Sequence, residues 1–147
     1  MGQKKLVTKT EETNLQADDK APVKVDKKSS KRQVINGIAY INVSYNNTAI
    51  TITDTRGEVV AWSSAGALGF KGAKKSTPYA ANSVAKTCVE KARKYNLSSV
   101  KIIVKGIGPG RESAIRGLAG SGLSVNSIMD RTPIAHNGIR PPKPRRV

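Results

Sequence analysis

The stretch SSVKIIVKG (98–106) constrains the fold more than any other. It is short, rich in Val and Ile, and bounded by Ser and Gly, which reads as a strand buried on both faces. Strands of this kind pair in parallel, and a parallel pair needs a long crossover, usually a helix. A helix-forming segment stands directly before it. Thr77-Pro78 supplies an N-cap followed by proline at the first helical position. Ala81, Val84, Cys88, Ala92 and Tyr95 then recur at intervals of 3, 4, 4 and 3, one apolar face of a helix running to about Tyr95. Lys86, Glu90, Arg93 and Lys94 fall mostly off that face, and Asn96 suits a left-handed stop.

Upstream, the pattern switches to alternation. GIAYINVSY (37–45) reads as a strand ending at the turn signal Asn46-Asn47, and AITITD (49–54) as its hairpin partner. DTRG (54–57) is the next turn, with Gly57 suited to positive φ, and EVVAWSS (58–64) is a third strand with Trp62 expected in the core. Downstream, a second helix covers roughly 110–119 and LSVNSIMD (123–130) is the last strand. The string βββαβαβ, with right-handed crossovers, sets the fourth and fifth strands beside the meander and the helices against the sheet. The roughly 114 residues from Val34 onward can bury one moderate core.

Three segments follow from this. Residues 1–33 are expected to be a disordered basic arm, because they hold no aromatic residue and too little apolar surface to offset chain entropy. Residues 34–132 form the α/β domain. Residues 133–147, with prolines at 133, 141, 142 and 144, should be an extended, unpaired tail.

Charge narrows the partner. The 147 residues carry 26 Lys+Arg against 10 Asp+Glu, a formal net charge of +16, with a pI near 10.3. The arm holds nine basic and five acidic residues, while residues 34–147 hold 17 and 5, so the domain and tail are the more one-sidedly basic part. Such an excess repels itself unless a polyanion neutralises it, and nucleic acid is the default partner. A membrane surface is the rival, yet there is no long apolar run and no Lys-rich amphipathic helix with Trp/Leu on its other face. One cysteine, Cys88, and one histidine, His136, allow neither an internal disulfide nor zinc spacing, which fits a reducing compartment. The start MGQKKLVTKTEETNL lacks the apolar segment of a secretory signal.

KGIGPGRESAIRG (105–117) resembles a phosphate loop but fails both familiar spacings. A dinucleotide fingerprint needs G-x-G-x-x-G, and Gly106 and Gly108 are followed by Arg111; a Walker loop needs a terminal Gly-Lys-Ser/Thr. What survives is a helix start with exposed amides and Arg111 beside them, a general anion site. Arg116 lies about 500° further round, loosely on the same side. The plainer alternative is a turn whose glycines only let the chain bend. Lys71, Lys74 and Lys75, before Ser76-Thr77-Pro78, make a second such site, or else a flexible surface loop. In the tail, Arg140, Lys143, Arg145 and Arg146 alternate with prolines that stiffen the chain, so less entropy is lost on docking to phosphates; a solvated charged terminus is the alternative. Phe70 could stack on a base, but aromatics are only 4% of the chain, against a clustered stacking platform. His136 lacks a suggestively spaced Ser or Cys partner. Asp54, Glu58, Glu90, Glu112 and Asp130 are not expected to converge as a two-metal nuclease requires.

Three stretches carry a family resemblance: SYNNTAITITDTRGEVVAWSSAGALGFKGAKKSTPYAANSVA, VKGIGPGRESAIRGL and TPIAHNGIRPPKPRRV. Together they resemble the universal small-subunit ribosomal protein S-eleven family over about residues 36–147. The resemblance implies a ribonuclease-H-like α/β fold with a mixed five-stranded sheet in order 3-2-1-4-5, no catalytic residues, no metal and no cofactor. It implies binding to small-subunit ribosomal RNA on the platform of a cytoplasmic, bacterial or else organellar ribosome. The tail would lie near the messenger RNA exit and the ribosomal RNA 3′ end. Small-subunit proteins six, seven, eighteen and twenty-one would be neighbours, with no membrane and no homo-oligomer. By similarity, RNA contact falls on Asn46, Asn47, Lys71, Lys74, Lys75, Arg111, Arg116, His136, Asn137, Arg140, Lys143, Arg145 and Arg146. Departures are Ile107, where many relatives have proline, and Ala135 and Ile139, which replace a frequent proline and cysteine. A metal-dependent nuclease and a nucleotide-binding module are the alternative functions.

Overall fold

Alternation decides the first hairpin. The computed structural model describes residues 33–143, so the arm through residue 32 and the tail residues Arg145 and Arg146 lie outside the described residues. Strand β1 (Asn36–Ser44) buries Ala39, Ile41 and Val43 on one face, and β2 (Asn47–Asp54) buries Ile50 and Ile52 opposite them. The antiparallel register pairs Ile41 with Ile50 and Ala39 with Ile52, and cross-strand pairs of this kind stabilise one face of a sheet. The turn is Tyr45-Asn46 rather than the expected Asn46-Asn47, because Asn47 already pairs with Ser44. Ser44 Oγ closes it, accepting the Asn47 N–H at 3.1 Å and donating to the Asn47 carbonyl at 3.2 Å. Neither asparagine has the positive φ that an Asn-rich primed turn would use.

Strand β3 (Val59–Ser64) adds antiparallel to β2. Helix α1 (Pro78–Arg93) then crosses to β4 (Ser99–Lys105), and α2 (Arg111–Gly120) crosses to β5 (Ser124–Asp130). β1 and β4 pair in parallel, as do β4 and β5, giving the order β3-β2-β1-β4-β5. Both crossovers step in the same direction along the sheet, so one handedness puts both helices on one face. The helix start is as read: Thr77 Oγ1 accepts the Ala80 N–H at 3.2 Å with Pro78 behind it. Asn96, at φ 60°, stops the chain after the helix.

The core lies between that face and the helices. α1 buries Ala80, Ala81, Val84, Ala85, Cys88, Val89 and Ala92, and α2 adds Ala114 and Leu118. The many alanines let α1 lie close to its neighbours. On α2, a Cβ at Gly117 would come within 2.8 Å of the Ala85 Cβ, so the two helices touch nearly backbone to backbone. β4 is buried at Val100, Ile102, Ile103 and Val104, while Lys101 is only half-buried on the face without helices. Trp62 also lies on that open face, 58% exposed rather than in the core, with the Lys91 ammonium 5.8 Å from its ring centroid. The reason is parity: Ala61 and Ser63 face the helices, so Trp62 must face away. Burial pushes the Cys88 thiol up to about 11, with Lys91 partly opposing.

Candidate nucleic-acid interface

Strands β1, β3, β4 and β5 run one way and both helices run back, so the helix N-termini share an edge with the carboxyl ends of four strands. The chain is stitched together there by close contacts. Ala65 N–H donates to the Thr48 carbonyl at 3.0 Å, joining the end of β3 to the start of β2. Gly110, the N-cap of α2, sits where an added Cβ would be 2.5 Å from Thr48 Oγ1 and 3.0 Å from the Ala81 Cβ of α1. Gly106, at φ 96°, backs onto β1 so closely that a Cβ would lie 2.0 Å from the Val43 carbonyl oxygen. The glycines of the loop after β4 are therefore demanded by packing. Only a residue without a side chain lets this loop and the α2 start rest on the β1–β2 hairpin.

Arg111 has internal partners. Its guanidinium bonds the Asp130 carboxylate, donates to the Gly106 carbonyl at 3.0 Å and reaches Thr132 Oγ1 at 3.4 Å. The Thr132 hydroxyl in turn donates to Asp130 at 2.7 Å and accepts the Gly106 N–H at 3.1 Å. These groups clasp the glycine loop to the segment leaving β5. The Thr132 hydroxyl and amide, followed by Arg111, hold the Asp130 carboxyl down at about 2. With its side chain 30% exposed, Arg111 is committed to the clasp and a phosphate would have to displace several contacts. Arg116 differs. It reaches Glu112 at 3.2 Å, but both side chains are about four-fifths exposed. Helix pairs of this exposed kind are worth about 0.3–0.5 kcal/mol, so a phosphate can take Arg116 over.

Asn46, Asn47 and the lysines before α1 stand at the same edge, and the tail residues follow on the segment that leaves it. Asn46 is exposed on the hairpin turn, and Asn47 Oδ1 is buried with no hydrogen-bond partner among the described residues. Lys71, Lys74 and Lys75 belong to an ordered segment, Gly72–Ser76 being a 3₁₀ turn that delivers the chain to the α1 cap. Lys71 and Lys74 are exposed and Lys75 is half-buried. His136, Asn137, Arg140 and Lys143 are all exposed on a segment without helix or strand, and Asn137 takes the left-handed conformation at φ 55°. Phe70, which the sequence offers as a stacking ring, is half-buried against the core and packs edge-on to Tyr79.

Several residues at this edge escape the motif reading. Lys105 and Arg131 are exposed at the ends of β4 and β5. Tyr45 and Ile107 flank a cleft of about 550 Å³ between the hairpin turn, the glycine loop and Pro133. Tyr79, Asn82, Lys86 and Ser113 line a groove between α1 and α2 with Arg116. Their signal is faint, since each is a single polar or aromatic position on a helix and belongs to no spaced motif. Among the described residues no group of three His, Cys, Asp or Glu stands together, and no helix is long and apolar enough to cross a membrane.

The family profile described as ribosomal protein S11 matches residues 37–146. The small ribosomal subunit protein uS11 of Hamiltonella defensa subsp. Acyrthosiphon pisum (strain 5AT) is 52% identical over 128 residues, covering 87% of this chain and 98% of its own length.

Proposed function

The chain belongs to the ribosomal protein S11 family, and from that premise we propose that the carboxyl edge of its sheet holds small-subunit ribosomal RNA. The protein is a structural component of the small subunit in a cytoplasmic ribosome, not an enzyme. One observation carries the RNA reading. The edge collects Lys71, Lys74, Lys105, Arg116 and Arg131, with Arg140 and Lys143 exposed on the segment that leaves it after Pro133, while its carboxylates, Glu112 and Asp130, both face arginines. Net positive charge is thereby left at one end of the molecule.

The mechanism is positioning. Lysines and arginines contact phosphates with little sequence preference and fix the orientation of the protein on RNA. The Arg111 clasp keeps the glycine loop and the start of the tail in place, so the cations around them need little ordering on binding. Within the same proposal, the site lies on the platform. The tail reaches toward the messenger exit and the RNA 3′ end, near small-subunit proteins six, seven, eighteen and twenty-one, and one copy acts alone. Asn46, Asn47, His136, Asn137 and the terminal Arg145 and Arg146 complete the contact set.

Titrating the full chain with a small-subunit ribosomal RNA transcript at increasing salt tests this. Six to ten phosphate contacts predict an affinity loss of about 10³-fold or more between 50 and 200 mM salt. Affinity that hardly changes with salt would remove the electrostatic basis of the reading.

A further inference from the structure

We propose that the groove between α1 and α2 is a pocket for one unpaired RNA nucleotide, whose base stacks on Tyr79 and whose phosphates meet Lys86 and Arg116. This rests on the RNA-binding reading and adds a site to it, since only Arg116 among these residues is marked by sequence motifs. The groove has a volume of about 390 Å³, within the range of pockets that take small ligands.

The ring comes first. Tyr79 is 74% exposed, more than any other aromatic side chain among the described residues. It is also held in place: Phe70 packs edge-on to it, with centroids 6.1 Å apart and an interplanar angle of 81°. Phe70 is itself fixed against the core. A ring already braced on one side loses little freedom when a base covers it.

Charge and hydrogen bonding select the ligand. Lys86 and Arg116 line the groove, and no carboxylate does among the described residues. The lining therefore complements an anion. Asn82 offers an amide donor and acceptor and Ser113 a hydroxyl, groups that suit a base edge and that a bare phosphate would not need. A ring, two cations and two hydrogen-bonding groups together fit a nucleotide better than a stretch of protein.

Gly120 supplies an independent sign. Gly117, also on the floor, is required by helix packing. Gly120 is not: a Cβ there would meet nothing within 4 Å, and its φ is not positive. Gly120 is the last residue of α2 and lines the groove, so what its missing side chain provides is open space there.

The test uses the full chain and a transcript of small-subunit ribosomal RNA. Tyr79→Ala should weaken binding by about tenfold while the salt slope stays the same, and Tyr79→Phe should bind as the unaltered chain does. Gly120→Leu, which fills the groove without touching the core, should weaken binding comparably with no loss of thermal stability. Lys86→Ala and Arg116→Ala should each lower the salt slope by about one. Photo-crosslinking with 4-thiouridine-substituted RNA should place an adduct at Tyr79. Unchanged affinity in both Tyr79→Ala and Gly120→Leu overturns the proposal. So does unchanged RNA affinity combined with poorer joining of a neighbouring subunit protein, which would give the groove to protein. Failure of the underlying reading looks different: the unaltered chain itself would bind the transcript without salt dependence.

Discussion

At the carboxyl edge of the sheet, Asp130 and Glu112 each face an arginine, and the remaining charges are cations. At the opposite edge, Asp54 and Glu58 stand on either side of the β2–β3 turn and line a cleft of about 180 Å³. Backbone bonds close that turn, Asp54 N–H to the Glu58 carbonyl at 2.8 Å and Gly57 N–H to the Asp54 carbonyl at 3.0 Å. Arg93 spans to the Ser121 carbonyl at 2.9 Å and ties the helix ends together there. Both edges are made of turns, yet one presents acid and base together and the other presents uncompensated base. Parallel topology is the cause. It sends both helix starts, with their positive dipole ends, to the edge where the glycine loop and the tail also emerge.

Glycine replacement should separate the two edges most sharply. Gly106 and Gly57 both have positive φ, 96° and 90°. An Ala at 106 would drive its Cβ into the Val43 carbonyl, whereas at 57 it would meet nothing within 4 Å. Gly106→Ala is expected to cost more than about 3 kcal/mol and Gly57→Ala about 1 kcal/mol in urea denaturation. Equal losses would mean that the loop after β4 does not rest on β1.

The two arginines of the loop and helix should part next. Arg111→Ala should lower the Tm by roughly 5 °C with only a small change in RNA salt slope. Arg116→Ala should leave the Tm unchanged and reduce the slope by about one. The reverse pattern would make Arg111 the phosphate hand and Arg116 the structural tie.

Smaller effects follow from ionisation. The Asp130 carboxyl, lowered from 3.8 to about 2, contributes stability that is fully present above 3.8 and lost as pH falls through about 2. Its NMR titration should show a midpoint near 2 that rises when Thr132 is changed to Val. Cys88 runs the other way, raised from 9.0 to about 11. Its neutral thiol supports the fold below pH 9, and that contribution is lost as pH rises through about 11. In the native protein at pH 8, iodoacetamide should barely label it, with rapid labelling appearing in denaturant.

Much of the fold was readable because the buried elements are periodic. α1 shows its apolar face in every turn, and β4 has the Val/Ile run of a strand covered by helices. Connectivity set the fourth and fifth strands beside the meander, and the full order 3-2-1-4-5 came from the family resemblance. Trp62 misled because size suggests burial, while the close approach of α1 leaves room only for Ala61 and Ser63 on the covered face. The hairpin turn was displaced by one residue because Ser44, and not an asparagine in the left-handed region, closes it. The tie between Arg111 and Asp130 could not be read from the sequence, because the partners are 19 residues apart, with a helix and a strand between them. The groove at Tyr79 was hidden for the same reason: its residues come from two helices that meet only in the folded chain.

Charge neutralisation at each edge in turn gives the most direct test. Lys71 and Lys74 are exposed at the carboxyl edge, and Arg56 and Lys94 are exposed at the opposite one. Each pair is changed to Gln, removing two positive charges, and the salt dependence of binding to small-subunit ribosomal RNA is measured. The Lys71/Lys74 variant should show a slope reduced by about two, and the Arg56/Lys94 variant a slope close to that of the unaltered chain. Equal reductions from the two pairs would contradict an RNA interface confined to the carboxyl edge.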